Sequence, residues 1–158
     1  MGTSSGRPPM TPITIRRMNE FDIDSVLIVE EECFTLPWSR AGFVAEMKNE
    51  LAHYLVMVDR GIIIGYAGMW LIVDEAHVTN VAIMPTYRGQ KLGEKLMTAL
   101  IEHAKEGGAL CMTLEVRTSN LVAQGLYAKF GFVSRGIRRN YYSDTQEDAL
   151  IMWCDKFA

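Results

Sequence analysis

The chain has no run of about 18 apolar residues, the length needed by a membrane-crossing helix, and no apolar segment behind a basic start of the kind that directs secretion. Both absences favour a soluble, cytoplasmic protein. Cysteine is scarce: Cys33, Cys111 and Cys154 are odd in number, far apart and form no C-x-x-C pair. A disulfide framework is thereby excluded, and buried free thiols in a reducing cytoplasm are expected. His53, His77 and His103 are equally scattered, so no metal site is expected. Excess basic charge is missing too. The formal net charge of −3 argues against general nucleic-acid affinity, although it is compatible with a basic polypeptide substrate. Gly89 and Gly93 fit neither the phosphate loop G-x-x-x-x-G-K-S/T nor the dinucleotide loop G-x-G-x-x-G.

What remains is an ordinary globular composition, 49% apolar over 158 residues, which is one domain by size and enough chain for a real core. Residues 1–9 read as a leader or appended arm without structure of its own, and 10–158 as the domain. Ile13–Arg17 alternates like a strand. Asn19 with Asp22 signals a helix start running toward Cys33, broken by Phe34–Trp38, after which Ser39 caps a second helix. Tyr54–Asp59 and Ile62–Val73 flank the Arg60-Gly61 turn as a hairpin, followed by a strand over His77–Met84. Leu92, Leu96, Met97, Leu100, Ile101 and Ala104 form a helical stripe that ends at Gly107-Gly108, and Leu110–Val116 is the next strand. A strand–helix–strand connection of this length implies a parallel, right-handed crossover. A short helix over 120–130 and two β-rich segments, Phe132–Tyr142 and Ala149–Phe157, complete an α/β sandwich: a mixed sheet with helices on both sides.

The stretch from Val81 to Leu96 is the most informative. An apolar strand stops at Pro85, passes through a basic turn containing glycine, and re-emerges as an amphipathic helix. Unpaired amides at a helix N-terminus favour an anion, and a phosphate-bearing ligand is the natural occupant.

Two further residues stand out. Glu115 interrupts the apolar strand Cys111–Val116 and shares a face with Cys111 and Thr113. A carboxylate there is costly unless it is paired or solvated, so it is either bonded to a nearby cation or a general base in a cleft. On the following helix, Asn120, Ala123, Gln124 and Tyr127 share one face, with small Ala123 leaving room beside the Tyr127 phenol. Tyr127 is either a core-edge aromatic or a member of the same site.

Taken together, these segments resemble the GNAT N-acetyltransferases. Arg88, Gly89, Gln90, Lys91, Leu92 and Gly93 are similar to the family's Gln/Arg-x-x-Gly-x-Gly/Ala pyrophosphate loop, with Lys91 at the position where glycine is usual. Leu114–Asn120 with Leu126–Phe132 resembles the second half of the family signature. Pro37-Trp38-Ser39, Arg138–Tyr142 and Glu147–Met152 resemble the bacterial ribosomal-protein alanine N-acetyltransferases in particular.

The resemblance implies a single-domain GNAT-like fold: a mostly antiparallel sheet whose central parallel strand pair is splayed for the cofactor. It implies acetyl-CoA as co-substrate, with no metal. Val81, Ala82 and Ile83 would pair with the pantetheine arm. Residues Gly89 to Glu94, with Arg88, would take the pyrophosphate, and Asn120 would contact the cofactor. Glu115 would be the proton acceptor and Tyr127 the proton donor. The acceptor would be a protein N-terminus, such as that of a ribosomal protein, bound by a monomer or weak dimer. Leu36, Trp38, Tyr141 and Tyr142 are candidate peptide contacts, and Asp74, Glu75, Glu147 and Asp148 candidate attractors of a basic tail. The same scaffold also suits acetylation of lysine, a polyamine or another small amine, and a non-catalytic acetyl-CoA-binding module stands as the non-enzyme alternative.

Overall fold

The computed structural model describes residues 12–157. The arm expected over residues 1–9 lies outside them. Among the described residues, seven strands form one mixed sheet in the order β1-β2-β3-β4-β5-β7-β6. They are β1 (Thr14–Arg17), β2 (Ala52–Asp59), β3 (Ile62–Ile72), β4 (Glu75–Ile83), β5 (Cys111–Arg117), β6 (Val133–Tyr142) and β7 (Glu147–Cys154). Four α-helices among the described residues cover them: α1 (Ile23–Cys33), α2 (Arg40–Met47), α3 (Leu92–Glu106) and α4 (Leu121–Lys129).

Period-two alternation along β2 and β3 divides the core between the two faces of the sheet. Tyr54, Val56 and Tyr66 pack with Val26, Val29 and Phe43 of α1 and α2. Leu55, Met57 and Met69 face the other way, onto Leu96, Met97 and Leu100 of α3. Each of these large apolar side chains contributes about 1.5–3 kcal/mol by leaving water. Helices therefore lie on both faces, as the sequence pattern requires.

The expected punctuation is present. The Ser39 hydroxyl accepts from the Gly42 amide at 3.1 Å and caps α2. Arg60 and Gly61 both take positive φ, 53° and 79°, and close the β2–β3 hairpin tightly. β3 stops at Ile72 because Val73 turns the chain at φ 56°.

All neighbouring strands run antiparallel except β4 and β5. Their parallel register covers only Glu75–Cys111, Ala76–Met112 and His77–Thr113. Beyond those three pairs the strands part. The cause lies one strand away, where the β3–β4 register slips between Gly68 and Met69 and leaves Thr79 unmatched. A bulge of this kind bends its strand and increases the local twist. Gly68 permits it: a Cβ there would sit 2.2 Å from the Tyr54 ring, which lies across this point.

Candidate active site

The separation of β4 and β5 opens a cleft of about 1400 Å3. One wall is the unmatched part of β4, including Val81, Ala82 and Ile83, and the facing wall begins at Leu114 and Glu115 of β5. Main-chain groups of β4 that would have bonded to β5 therefore face open space, a suitable edge for an extended, amide-bearing ligand.

At one end of the cleft, Pro85–Tyr87 forms a single 3-10 turn, pinned to the β2–β3 hairpin by the Tyr87 hydroxyl donating to Asp59 at 2.7 Å. Gly89 then takes φ 81° and Lys91 φ 60°, and α3 starts at Leu92 with no side-chain cap. The first-turn amides are thus left to an outside acceptor. Glu94, an acid in that turn, is neutralised by Lys129 at 2.7 Å, which holds its carboxyl below the usual range. Arg88, Gly89, Lys91, Gly93 and Glu94 line the cleft, whereas Gln90 is exposed and stands outside the lining. Leu92 lines it too while serving the core, 9% exposed. The Arg88 guanidinium folds back onto the end of β4, donating to the Ile83 carbonyl at 3.3 Å and approaching Cys33 Sγ at 3.7 Å. The positive φ at Lys91 explains why glycine suits this position: a β-carbon in the left-handed region is strained by about 1 kcal/mol.

In the middle of the cleft, Glu115 and Tyr127 come from different elements and line the same space. The Glu115 carboxylate has a cationic partner, Arg138 Nε at 3.3 Å. The Tyr141 phenol also bonds to it, and that bond pushes the Tyr141 pKa upward. The cation-paired reading of Glu115 therefore holds, and the same carboxylate lines the cleft. Tyr127 is 8% exposed and leans on Phe132 at 5.9 Å between ring centroids. Its hydroxyl has no hydrogen-bond partner among the described residues. Burial, with a smaller contribution from Tyr142, pushes its pKa up to about 12, so the phenol keeps its proton through the neutral range.

Asn120 lines the cleft, but its side chain accepts from the Ala123 amide at 3.1 Å and caps α4. Gln124 is likewise committed, donating to the carbonyls of Arg117 and Thr118 at 3.0 Å. The shared helical face therefore serves partly to dock α4.

Across the cleft stand Leu36, Trp38, Tyr141 and Tyr142. Arg117 lies over the Tyr142 ring at 4.0 Å and donates to both Asp144 oxygens at 3.0 and 2.8 Å. The candidate acidic attractors are differently placed. Glu147 accepts from the Ser119 amide at 2.7 Å, tying β7 to the loop before α4, and Asp148 accepts from the Asn140 amide at 2.9 Å across the β6–β7 hairpin, so both are committed within the fold. Asp74 and Glu75 lie at the paired end of β4, away from the opening.

Sequence reasoning missed Glu30, a buried acid that also lines the cleft. The available signal was its place on the apolar stripe of α1, beside Val26 and Val29. The cysteines are free, but only Cys154 is buried. Cys33 and Cys111 are half-buried, with thiols pushed upward chiefly by desolvation. No helix among the described residues is long and apolar enough to cross a membrane.

Comparison with known proteins agrees with this geometry. Residues 23–132 match the acetyltransferase (GNAT) family. A Bacillus subtilis protein with the provisional name ribosomal protein bS18-alanine N-acetyltransferase is 50% identical over 144 residues, covering 90% of this chain and 95% of that protein. The crystal structure of the ribosomal-protein-S18-alanine N-acetyltransferase from Escherichia coli superposes with a TM-score of 0.85 at 33% identity, covering 93% and 96% of the two chains. The PaiA N-acetyltransferase of Thermoplasma acidophilum, solved in complex with coenzyme A, shares the fold at a TM-score of 0.77 and 20% identity, over 93% of this chain and 100% of that one. The chain belongs to the GNAT acetyltransferase family and is an acetyl-CoA-dependent N-acetyltransferase.

Proposed function

We propose that this enzyme acetylates the α-amino group at the N-terminus of a protein, with an alanine-starting ribosomal protein of the bS18 type as acceptor. The observation that carries the reading is the meeting of Glu115 and Tyr127 in one cleft at the parting of β4 and β5, beside an uncapped helix start. The near full-length likeness to proteins named for that acceptor supplies the substrate class.

Bound in the cleft, acetyl-CoA supplies a thioester carbonyl within reach of an acceptor amine. The chain's contributions can then be assigned. Amides at the α3 start and in the Gly89 turn hold the pyrophosphate, and the free edge over Val81–Ile83 holds the amide-rich arm. An amine attacks only when neutral, and an α-amino group, with a reference pKa of about 8 against about 10.4 for lysine, is nearer to that state. Glu115 takes its proton, through water, as the new C–N bond forms. A main-chain N–H at Val81 or Ala82 meets the developing charge on the carbonyl oxygen. As the C–S bond breaks, the Tyr127 phenol gives its proton to the departing sulfur, and both side chains are reset by solvent. Positioning of the two reactants contributes several kcal/mol on the general scale of such effects.

The test is intact-mass and fragment mapping after incubation with acetyl-CoA. The substrates are an alanine-starting peptide, the same peptide with a blocked N-terminus, and free small amines. Acetyl found only on the α-nitrogen of the open peptide is expected. Modification of the blocked peptide at lysine, or of the small amines alone, would move the enzyme to another acceptor class.

A further inference from the structure

α1 carries a carboxylate that acetyl transfer as described leaves unused. Glu30 is 2% exposed, and its two oxygens take different partners. Oε2 accepts the Trp38 main-chain N–H at 2.9 Å, and Oε1 accepts the Tyr66 hydroxyl. Its main-chain carbonyl in turn accepts the Phe34 N–H at 3.0 Å. One residue therefore secures both ends of the segment between α1 and α2, which has no helix or strand of its own.

The contacts close on themselves. The Trp38 ring lies 5.3 Å from that of Phe43, Phe43 meets Tyr66 edge-on at 5.7 Å, and the Tyr66 hydroxyl returns to Glu30. A further side-chain tie of the segment is the Thr35 hydroxyl donating to Asp144 at 2.5 Å, on the exposed side. Leu36 is 59% exposed between these anchors, and with Trp38 it lines the cleft beside Tyr141 and Tyr142. A buried acid is a poor choice for packing, since an apolar side chain of equal volume avoids the desolvation cost. A split pair of acceptors is what a leucine at this position would lack.

We propose that Glu30 is a positioning residue that fixes the Leu36–Trp38 wall. Through that wall it sets the affinity for the acceptor while leaving cofactor binding unchanged. The inference rests on the reading of this cleft as the site for a peptide N-terminus. Glu46 provides the internal contrast: it also is buried and accepts from Tyr54 and Trp70 at 2.8 and 2.9 Å, but it does not line the cleft. Its replacement is expected to affect stability without selecting between the two substrates.

Glutamine at position 30 retains both contacts, its carbonyl accepting from Trp38 and its amide donating to the Tyr66 oxygen, so it separates geometry from charge. Three measurements test the proposal on Glu30→Leu, Glu30→Gln and wild type: KM for the alanine-starting peptide, Kd for coenzyme A, and hydrogen exchange of the Trp38 amide. In Glu30→Leu the peptide KM should rise at least tenfold, the coenzyme A Kd stay within twofold, and Trp38 exchange accelerate at least tenfold. In Glu30→Gln all three should stay within threefold of wild type. A peptide KM within twofold in Glu30→Leu, or equal changes in KM and Kd, would overturn the proposal. If Glu30→Leu does not fold, Tyr66→Phe removes one anchor alone and should raise the peptide KM three- to fivefold; an unchanged KM there is equally fatal. Should wild type not acetylate the peptide, the acceptor reading fails by itself, and the exchange measurement still decides whether Glu30 holds the wall.

Discussion

Arg138, on edge strand β6, reaches across β7 and places its Nε 3.3 Å from the Glu115 carboxylate on β5. The carboxylate is thus oriented from outside the cleft while it lines the inside. Glu115→Gln should lower kcat by about a hundredfold, in the usual range for losing a general base, with coenzyme A affinity unchanged. Thiol release and calorimetric titration measure the two quantities. A wild-type rate in this variant would remove Glu115 from proton transfer.

Tyr127→Phe deletes one hydroxyl that has no partner within the described chain, so the fold should survive it with little change in Tm. The rate should fall tenfold or more. The wild-type phenol, with its pKa raised to about 12 from an ordinary value of 10, should give no alkaline loss of activity below about pH 10. Its stabilising effect is complete below pH 10 and declines as pH rises through 12, because the unfolded phenol ionises first. Equal kinetics for wild type and Tyr127→Phe would assign the donor role elsewhere.

Gly68→Ala tests the origin of the cleft. The added carbon would meet the Tyr54 ring, whose hydroxyl bonds to Glu46 at 2.8 Å and to Thr79 in the bulge at 3.0 Å. Displacing that ring should cost about 2–3 kcal/mol, as overpacking of a core does, and coenzyme A binding should weaken with it. Denaturant midpoints and calorimetry report both. Retained binding at wild-type stability would mean that the bulge does not depend on this contact.

Lys91→Gly should relieve the left-handed strain at φ 60° and raise stability by up to about 1 kcal/mol, partly offset by the greater freedom of glycine in the unfolded chain. Loss of the ammonium should weaken coenzyme A binding a few-fold at low salt and flatten its salt dependence. Titrations at two ionic strengths would check this, and an unchanged salt slope would remove Lys91 from the anion site.

Far from the cleft, His53 Nδ1 and His103 Nε2 lie 3.1 Å apart between β2 and α3. Burial lowers both pKa values, assisted for His53 by His103 and Arg17. For His103 Arg17 adds to the lowering, while Glu106 opposes it. The pair contributes its full stability above about pH 6.5, the unfolded value. That contribution declines as pH falls through the lowered folded values, since the unfolded rings take protons first. Tm should therefore drop more steeply from pH 7 to 5 in wild type than in His103→Gln. Parallel curves would contradict this.

Much of this architecture was legible in the sequence, because the governing signals were local. The Leu92–Ala104 stripe, the Ser39 cap, the Arg60-Gly61 turn and Glu115 inside an apolar strand each report their own surroundings. Strand ends were less legible: β2 begins at Ala52 and β7 at Glu147, where pairing with neighbours rather than side-chain alternation sets the limit. Asn120, Ala123 and Tyr127 line the cleft while Gln124 does not, and the Asn120 and Gln124 side chains are used in capping and docking α4. The Arg138–Glu115 pair was hidden by its separation in the chain and by a topology that sets β7 between the two strands. Glu30 was hidden by its neighbours Glu31 and Glu32, which are exposed and make the run resemble a solvated edge.

The three-residue register of β4 against β5 leaves peptide groups open along Val78–Ile83 that no change of side chain can erase. Specificity written in main-chain atoms is insensitive to ordinary substitution along that strand, and proline is the exception because it deletes a donor. The opposing wall is built of side chains and has no such insurance. Variation there can redirect the choice of acceptor while the grip on the acyl carrier persists.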